Sequence, residues 1–237
     1  GALAGEAIAA SDATDKFKQT LNFAGLNTSA IDALTASTRK YADQTVYDLS
    51  DIQNITAQLA ANSVPNYDKL AQTAGNLNAV AGGNKETFKS VGMMLTQTAG
   101  AGKLTTENWN QLADAIPGAS GLLQAAMLKN GAYMGNFRTA MEKGQITAEE
   151  FNAAIMELGM TDAAQKAATS TATFEGAWGS LKATMVGGLA DIFTKFKPAI
   201  TGGMGLLANG IQAAMPGILV GIDGVGSALA TIGEAAR

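Results

Sequence analysis

The sequence predicts an all-α chain, and three observations carry that expectation. Apolar residues recur at three- and four-residue steps along the whole length, and no stretch of six alternates with period two. Capping residues stand ahead of the apolar runs, and Gly or Pro stands behind them. The 237 residues include 28 Gly, 10 Met and only 6% aromatics. Small side chains of this kind suit close helix–helix contact rather than a thick aromatic core.

A first helix carries Ile8, Phe17, Leu21 and Ala24 on one face and stops at Gly25. Thr28 and Ser29 cap a second, with Ile31, Leu34, Thr38 and Tyr41 following. A third starts near Ser50 and runs through Ile52, Ile55 and Leu59 to Asn62. Pro65 breaks it, because Pro drives its predecessor out of the helical region. The fourth carries Tyr67, Leu70, Ala74, Leu77 and Val80 and stops at Gly82 and Gly83. Asn84 caps the fifth, with Phe88, Val91 and Leu95 in line, ending before Lys103. Shorter helices are expected near 105–115, 120–129, 132–143 and 147–158, with turns at Pro117-Gly118 and Asn130-Gly131.

From Thr161 one helical pattern runs to Lys197-Pro198. Phe174, Trp178, Leu181, Met185, Leu189, Ile192 and Phe196 form a near-continuous apolar stripe along it. A Gly-rich apolar tail comes after it. The expected architecture is therefore a multi-helix domain of short helices and helical hairpins, then a long helix and an apolar, Gly-rich helical tail. It divides into an N-terminal helical segment at 1–46, a compact multi-helix core module at 47–160, and the long helix with its tail at 161–237. Both ends read as helix, so the expectation is a piece of a longer protein.

Composition excludes several chemistries. The chain has no His and no Cys, so a Ser-His-Asp or Cys-His nucleophile is excluded within it. So are Cys/His zinc sites, iron–sulfur clusters and disulfides. The redox compartment is left open. Net charge is −4, which gives no global attraction to nucleic acid, and no sequence-specific nucleic-acid binding is expected. Only carboxylate, Lys or Tyr chemistry stays open to an enzyme.

The acid pairs Asp48/Asp51 and Glu149/Glu150 fall at helix starts. There carboxylates cap the helix and complement its dipole, a simpler account than acid–base catalysis. No Asp-x-Asp-x-Asp-Gly loop supports a calcium site. Gly203, Gly205 and Ala208 fit the loose dinucleotide fingerprint, but no strand precedes them. No catalytic, metal or cofactor-binding residue is assigned, and no cofactor is expected.

One internal echo stands out. Gly102-Lys-Leu104-Thr105-Thr-Glu107-Asn-Trp109-Asn110 matches Gly144-Gln-Ile146-Thr147-Ala-Glu149-Glu150-Phe151-Asn152. In each copy Gly closes one helix with a left-handed residue. The aliphatic packs back on the next helix, Thr caps it, and Glu sits in its first turn. Thr105 and Thr147 are thus the expected N-caps, and Glu150 completes a capping box with Thr147.

Residues 199–222 carry no formal charge, a length that could span a bilayer. Pro216, Asn209, Gln212, Thr201 and many Gly argue against a stable membrane helix. A packed, self-associating helix pair is preferred, and a helical membrane-active or pore-forming module is the alternative reading.

Several of these stretches together resemble the conserved helical core of phage tail tape measure proteins. They are Tyr41-Ala-Asp-Gln-Thr45 with Asp48-Leu-Ser-Asp51 and Pro65, and Gly92-Met-Met-Leu-Thr-Gln97 running into Gly102 to Gly118. Gly144-Gln-Ile-Thr147 and Thr173-Phe-Glu-Gly-Ala-Trp-Gly-Ser-Leu-Lys182 continue the likeness. It covers roughly residues 35 to 215, and its weight lies in the order and spacing of the motifs. The resemblance implies structural work, not catalysis. Such proteins occupy the tail lumen during assembly, and their length sets tail length. Tail assembly chaperones keep them soluble, and the tail tube protein polymerises around them. They leave ahead of the genome, and their apolar parts act at the host membrane during ejection. The expected partners are therefore other copies in a bundle, the tube protein, the chaperones and distal tail proteins. The expected locations are the virion and, during assembly, the host cytoplasm. As one unbroken helix the chain would reach only ~356 Å, so it is a module and not the whole ruler.

Overall fold

The computed structural model describes residues 2–170, 185–192, 194 and 195. Ten helices are named among them: α1 (Ala2–Phe23), α2 (Thr28–Gln44), α3 (Leu49–Ala61), α4 (Tyr67–Val80), α5 (Lys85–Ala101), α6 (Thr106–Ala115), α7 (Pro117–Lys129), α8 (Phe137–Glu142), α9 (Ala148–Gly159) and α10 (Asp162–Ala168). Residues 185–192, 194 and 195 are also helical. There is no β-strand among the described residues, and the protein is all-α.

Local chemistry sets most boundaries. Asn84 accepts from the N–H groups of Glu86 and Thr87, and Thr87 Oγ1 accepts from the Asn84 N–H in return, so α5 starts in a capping box. Gly102 closes α5 with φ of +70°, a left-handed conformation that favours glycine. Pro117 sits in the first turn of α7, where its missing N–H costs no helical bond.

Four boundaries differ from the sequence expectation. Helix α7 starts at Pro117 rather than near 120, so the expected turn at Pro117-Gly118 lies inside its first turn. The cap of α2 is Asn27, whose Oδ1 accepts from the Ala30 N–H at 2.8 Å; Thr28 already lies inside the helix. The helix expected at 132–143 is reduced to α8. Ala132 and Tyr133 are buried in irregular chain, Gly135 takes a positive φ, and Asn136 caps α8. The pattern from Thr161 is interrupted, because α10 ends at Ala168 with Thr169 as its cap. Thr169 Oγ1 returns a bond to the Gln165 carbonyl, the competition by which hydroxyl side chains weaken a helix.

The core is built around α4, which packs against α3, α5, α9 and α10. Eight of its residues between Leu70 and Asn78 are buried, including the polar Thr73, Asn76 and Asn78. Each buried amide has partners, as burial demands. Asn76 accepts from Tyr41 Oη at 2.8 Å and donates to the Gly159 carbonyl at 3.0 Å. Asn78 donates to Tyr47 Oη at 2.9 Å and to the Asn84 carbonyl at 3.0 Å, and accepts from Thr87 Oγ1. Tyr47 stacks on Phe88 with ring centroids 4.2 Å apart. The main apolar core extends from Tyr41 to Ile155, and a second cluster joins Phe17 and Leu21 of α1 to Ile31, Leu34, Ala57 and Ala60.

Candidate functional site

The two echoed segments are brought together in space. Leu104 N–H donates to the Ile146 carbonyl at 2.9 Å, and Ala148 N–H donates to the Gly102 carbonyl at 3.1 Å. Lys103 and Thr147 thereby form an isolated antiparallel bridge. Each segment begins at a left-handed glycine, Gly102 or Gly144. Leu104 and Ile146 are wholly buried, as is Phe151, and Trp109 nearly so. The helix–turn–helix of α5 and α6 thus faces that of α8 and α9 across a short backbone ladder.

Thr105 Oγ1 accepts from the Asn108 N–H at 3.2 Å at the start of α6. Thr147 Oγ1 accepts from the Glu150 N–H at 3.1 Å, and Glu150 Oε2 accepts from the Thr147 N–H at 2.9 Å, a reciprocal box at the start of α9. The last echoed pair diverges. Asn110 is exposed, whereas Asn152 is buried and its Oδ1 has no hydrogen-bond partner among the described residues.

The spacing from Gly144 to Glu150 is that of the sixth and twelfth positions of a calcium-binding loop. The first, third and fifth positions would be Thr139, Met141 and Lys143, none of which offers a carboxylate. Glu150 is instead occupied with its own helix start. Among the described residues no group of three or more His, Cys, Asp or Glu side chains comes together.

The other acid pair behaves differently from its expected role. Asp48 occupies the cap position of α3 but makes no side-chain cap bond. Its carboxylate pairs with Lys85 of α5 at 3.1 Å, a long-range charge that outcompetes the local N–H groups. Asp51 lies 3.7 Å from Lys89. Burial raises the Asp51 pKa above the ordinary carboxylate value, against the pull of Lys89. These acids tie the start of α3 to the start of α5.

A cavity of about 330 Å³ lies beside them, lined among others by Glu6, Arg39, Asp43, Tyr47, Asp48 and Lys85. Residues 186 and 187 close one side of it. Arg39 holds that helical piece with a two-pronged contact to Asp191 at 3.1 and 3.3 Å, and Ser11 meets Thr194 at 2.8 Å. Burial raises the Asp43 pKa more than Arg39 lowers it. Burial also pushes the Tyr47 hydroxyl up to about 12, so it stays a neutral donor to the Gly75 carbonyl.

Of the expected apolar stripe, Phe174, Trp178, Leu181 and Phe196 lie outside the described residues. Met185 and Leu189 are half-buried, and Ile192 is exposed. No helix among the described residues is long and apolar enough to cross a membrane, and 199–222 lies outside them.

Sequence reasoning found the echo but missed its pairing. No residue within either copy signals it, because the pairing is a contact between segments far apart in sequence.

Comparison with known proteins gives one match. A family model described as "Tape measure protein" matches residues 5–194. No curated protein matches the chain, and no solved structure does. The match covers well over half of the sequence, and with the all-helical architecture it establishes that the chain belongs to the tape measure protein family, structural components of phage tails.

Proposed function

We propose that this chain is a helical core module of a tape measure protein that occupies the tail lumen and sets tail length during assembly. The observation that supports this reading most is the family match over residues 5–194. The absence of His and Cys fits structural rather than catalytic work, since no His-activated nucleophile is available. In this reading the tube protein polymerises around the chain, chaperones hold it before assembly, and distal tail proteins seat one end. Self-association of copies would use the stripe from Phe174 to Phe196, where each buried large side chain contributes about 1.5–3 kcal/mol. The apolar residues 199–222 would meet the host membrane during genome delivery.

The test is genetic. Removing residues 85–170 in frame from the parent gene should shorten the assembled tail, by about 130 Å if the ruler is helical. Tail length is read by electron microscopy. Tails of unchanged length would overturn the ruler role for this module.

A further inference from the structure

The helical piece at residues 185–192, 194 and 195 lies against α1 and α2 with little apolar surface to hold it there. Among its described residues only Gly187 and Ala190 are buried; Met185, Val186 and Leu189 are half-buried and Ile192 is exposed. Polar contacts hold it instead. Arg39 Nη1 and Nη2 donate to the two carboxylate oxygens of Asp191 at 3.1 and 3.3 Å. Its Nε lies 3.8 Å from Asp43 Oδ1 on the next turn of α2. A Cβ on Gly187 would meet the same guanidinium, so glycine at this position leaves room for Arg39 to reach Asp191. Thr194 gives its one hydroxyl proton to the Ala190 carbonyl at 2.9 Å, and so accepts from Ser11 Oγ at 2.8 Å. The Asp191 side chain is 66% exposed and that of Arg39 24%, which leaves their pair open to screening by salt.

We infer that this piece is a releasable strap along one side of the cavity beside Asp48, clasped by Arg39, and that ionic strength sets how far it is open. Val186 and Gly187 line that cavity together with Ala9 and Ala10 of α1 and with Arg39. Lifting the strap therefore removes a wall of the cavity and uncovers Ser11, whose hydroxyl it holds. A segment that buries no large side chain opens locally at far less cost than the domain unfolds. The clasp is also built to reverse. When the strap lifts, Arg39 keeps Asp43 beside it on its own helix, so its charge is not stranded. Asp191, already largely in water, returns to it fully. Both charges are accommodated in the open state, which makes the contact an equilibrium and not a lock.

The cysteine-free chain makes the test direct. Ser11→Cys places a single thiol against Thr194, at a residue 3% exposed, and Met93→Cys, made separately, supplies a reference at a residue 56% exposed. In the 237-residue chain, maleimide should label the thiol at position 11 more slowly than the thiol at position 93. Adding Asp191→Asn should raise the rate at position 11 by about two- to fivefold, the range set by a partly exposed ion pair. Raising salt from about 0.01 M to about 1 M cuts the screening length from ~30 Å to ~3 Å. It should speed labelling of the Ser11→Cys chain to the same degree, and leave the chain that also carries Asp191→Asn unchanged, each rate taken relative to position 93. Gly187→Ala should match Asp191→Asn. Gly188→Ala, where nothing lies within reach of a Cβ, should not speed labelling at all. Equal labelling at positions 11 and 93 would overturn the proposal. So would a rate at position 11 indifferent to Asp191→Asn and to salt, or equal responses to Gly187→Ala and Gly188→Ala. Labelling that requires global unfolding, seen as a urea dependence as steep as that of the whole domain, would overturn it as well.

Discussion

Leu104 and Ile146 occupy the same position of two related segments and share a backbone hydrogen bond of 2.9 Å. Both side chains are wholly buried, so each element of the pair orders the other. Truncating either to Ala should cost about 2–5 kcal/mol, read as a lowered midpoint in urea. A double variant whose loss falls short of the sum would show that the two sites act through one another.

The capping threonines give a finer test. Thr105→Ala and Thr147→Ala should each cost roughly 0.5–2 kcal/mol. Thr106→Ala, one residue inside α6, should stay within about 0.5 kcal/mol. Equal losses at all three positions in urea melts would reject the capping assignment.

Gly75 lies where three aromatic side chains converge. A Cβ there would collide with the Tyr41 hydroxyl and press on the rings of Tyr47 and Phe88. Two of these residues also bond to α4, Tyr41 to Asn76 and Tyr47 to the Gly75 carbonyl, so neither is free to retreat. Gly75→Ala should destabilise the domain by about 1–3 kcal/mol. The same change at exposed Gly121, where nothing lies within reach of a Cβ, should instead raise helix stability by up to about 1 kcal/mol. Thermal unfolding of the two variants should move in opposite directions.

The carboxyl of Asp51 should tilt the pH profile of stability. Burial raises its folded pKa above the reference 3.8. The folded state therefore binds the proton more tightly than the unfolded state. That contribution is fully present below 3.8 and is lost as pH rises through the raised value. Glu157 has the opposite sign. Hydrogen bonds from Asn130 and Lys129 lower its pKa below 4.5, so its contribution is lost as pH falls through that region. Asp51→Asn should remove the first slope and Glu157→Gln the second, measured as urea midpoints across the acidic range up to neutrality.

What could be read in the sequence was local. Asn84 before an apolar run and Gly102 after one each act within one turn, so their consequences lie in neighbouring residues. Distance defeated the rest. Asp48 has the composition of a cap, but Lys85 on another helix takes its carboxylate. The echo of residues 102–110 in 144–152 was visible, yet nothing within either copy shows that its partner is the other. The short form of α8 was likewise hidden, because Ala132 and Tyr133 are apolar enough to continue a helix and are buried without one. The stripe from Phe174 to Phe196 lies largely beyond the described residues and stands as a proposal.

The antiparallel bridge also determines how the molecule yields to a pull. The chain before Gly102 and the chain after Ala148 leave the ladder from the same end. Tension along the polypeptide therefore reaches the Ala148–Gly102 bond first and the Leu104–Ile146 bond second, one after the other rather than side by side. A ladder opened in sequence resists far less than one sheared as a unit. Once it parts, α6 to α8 are still held by the packing of α6 on α5 and of α7 on α9. The ladder thus orients the two segments but adds little resistance of its own, and the reserve contour length between them is held by the buried side chains of α6 to α8.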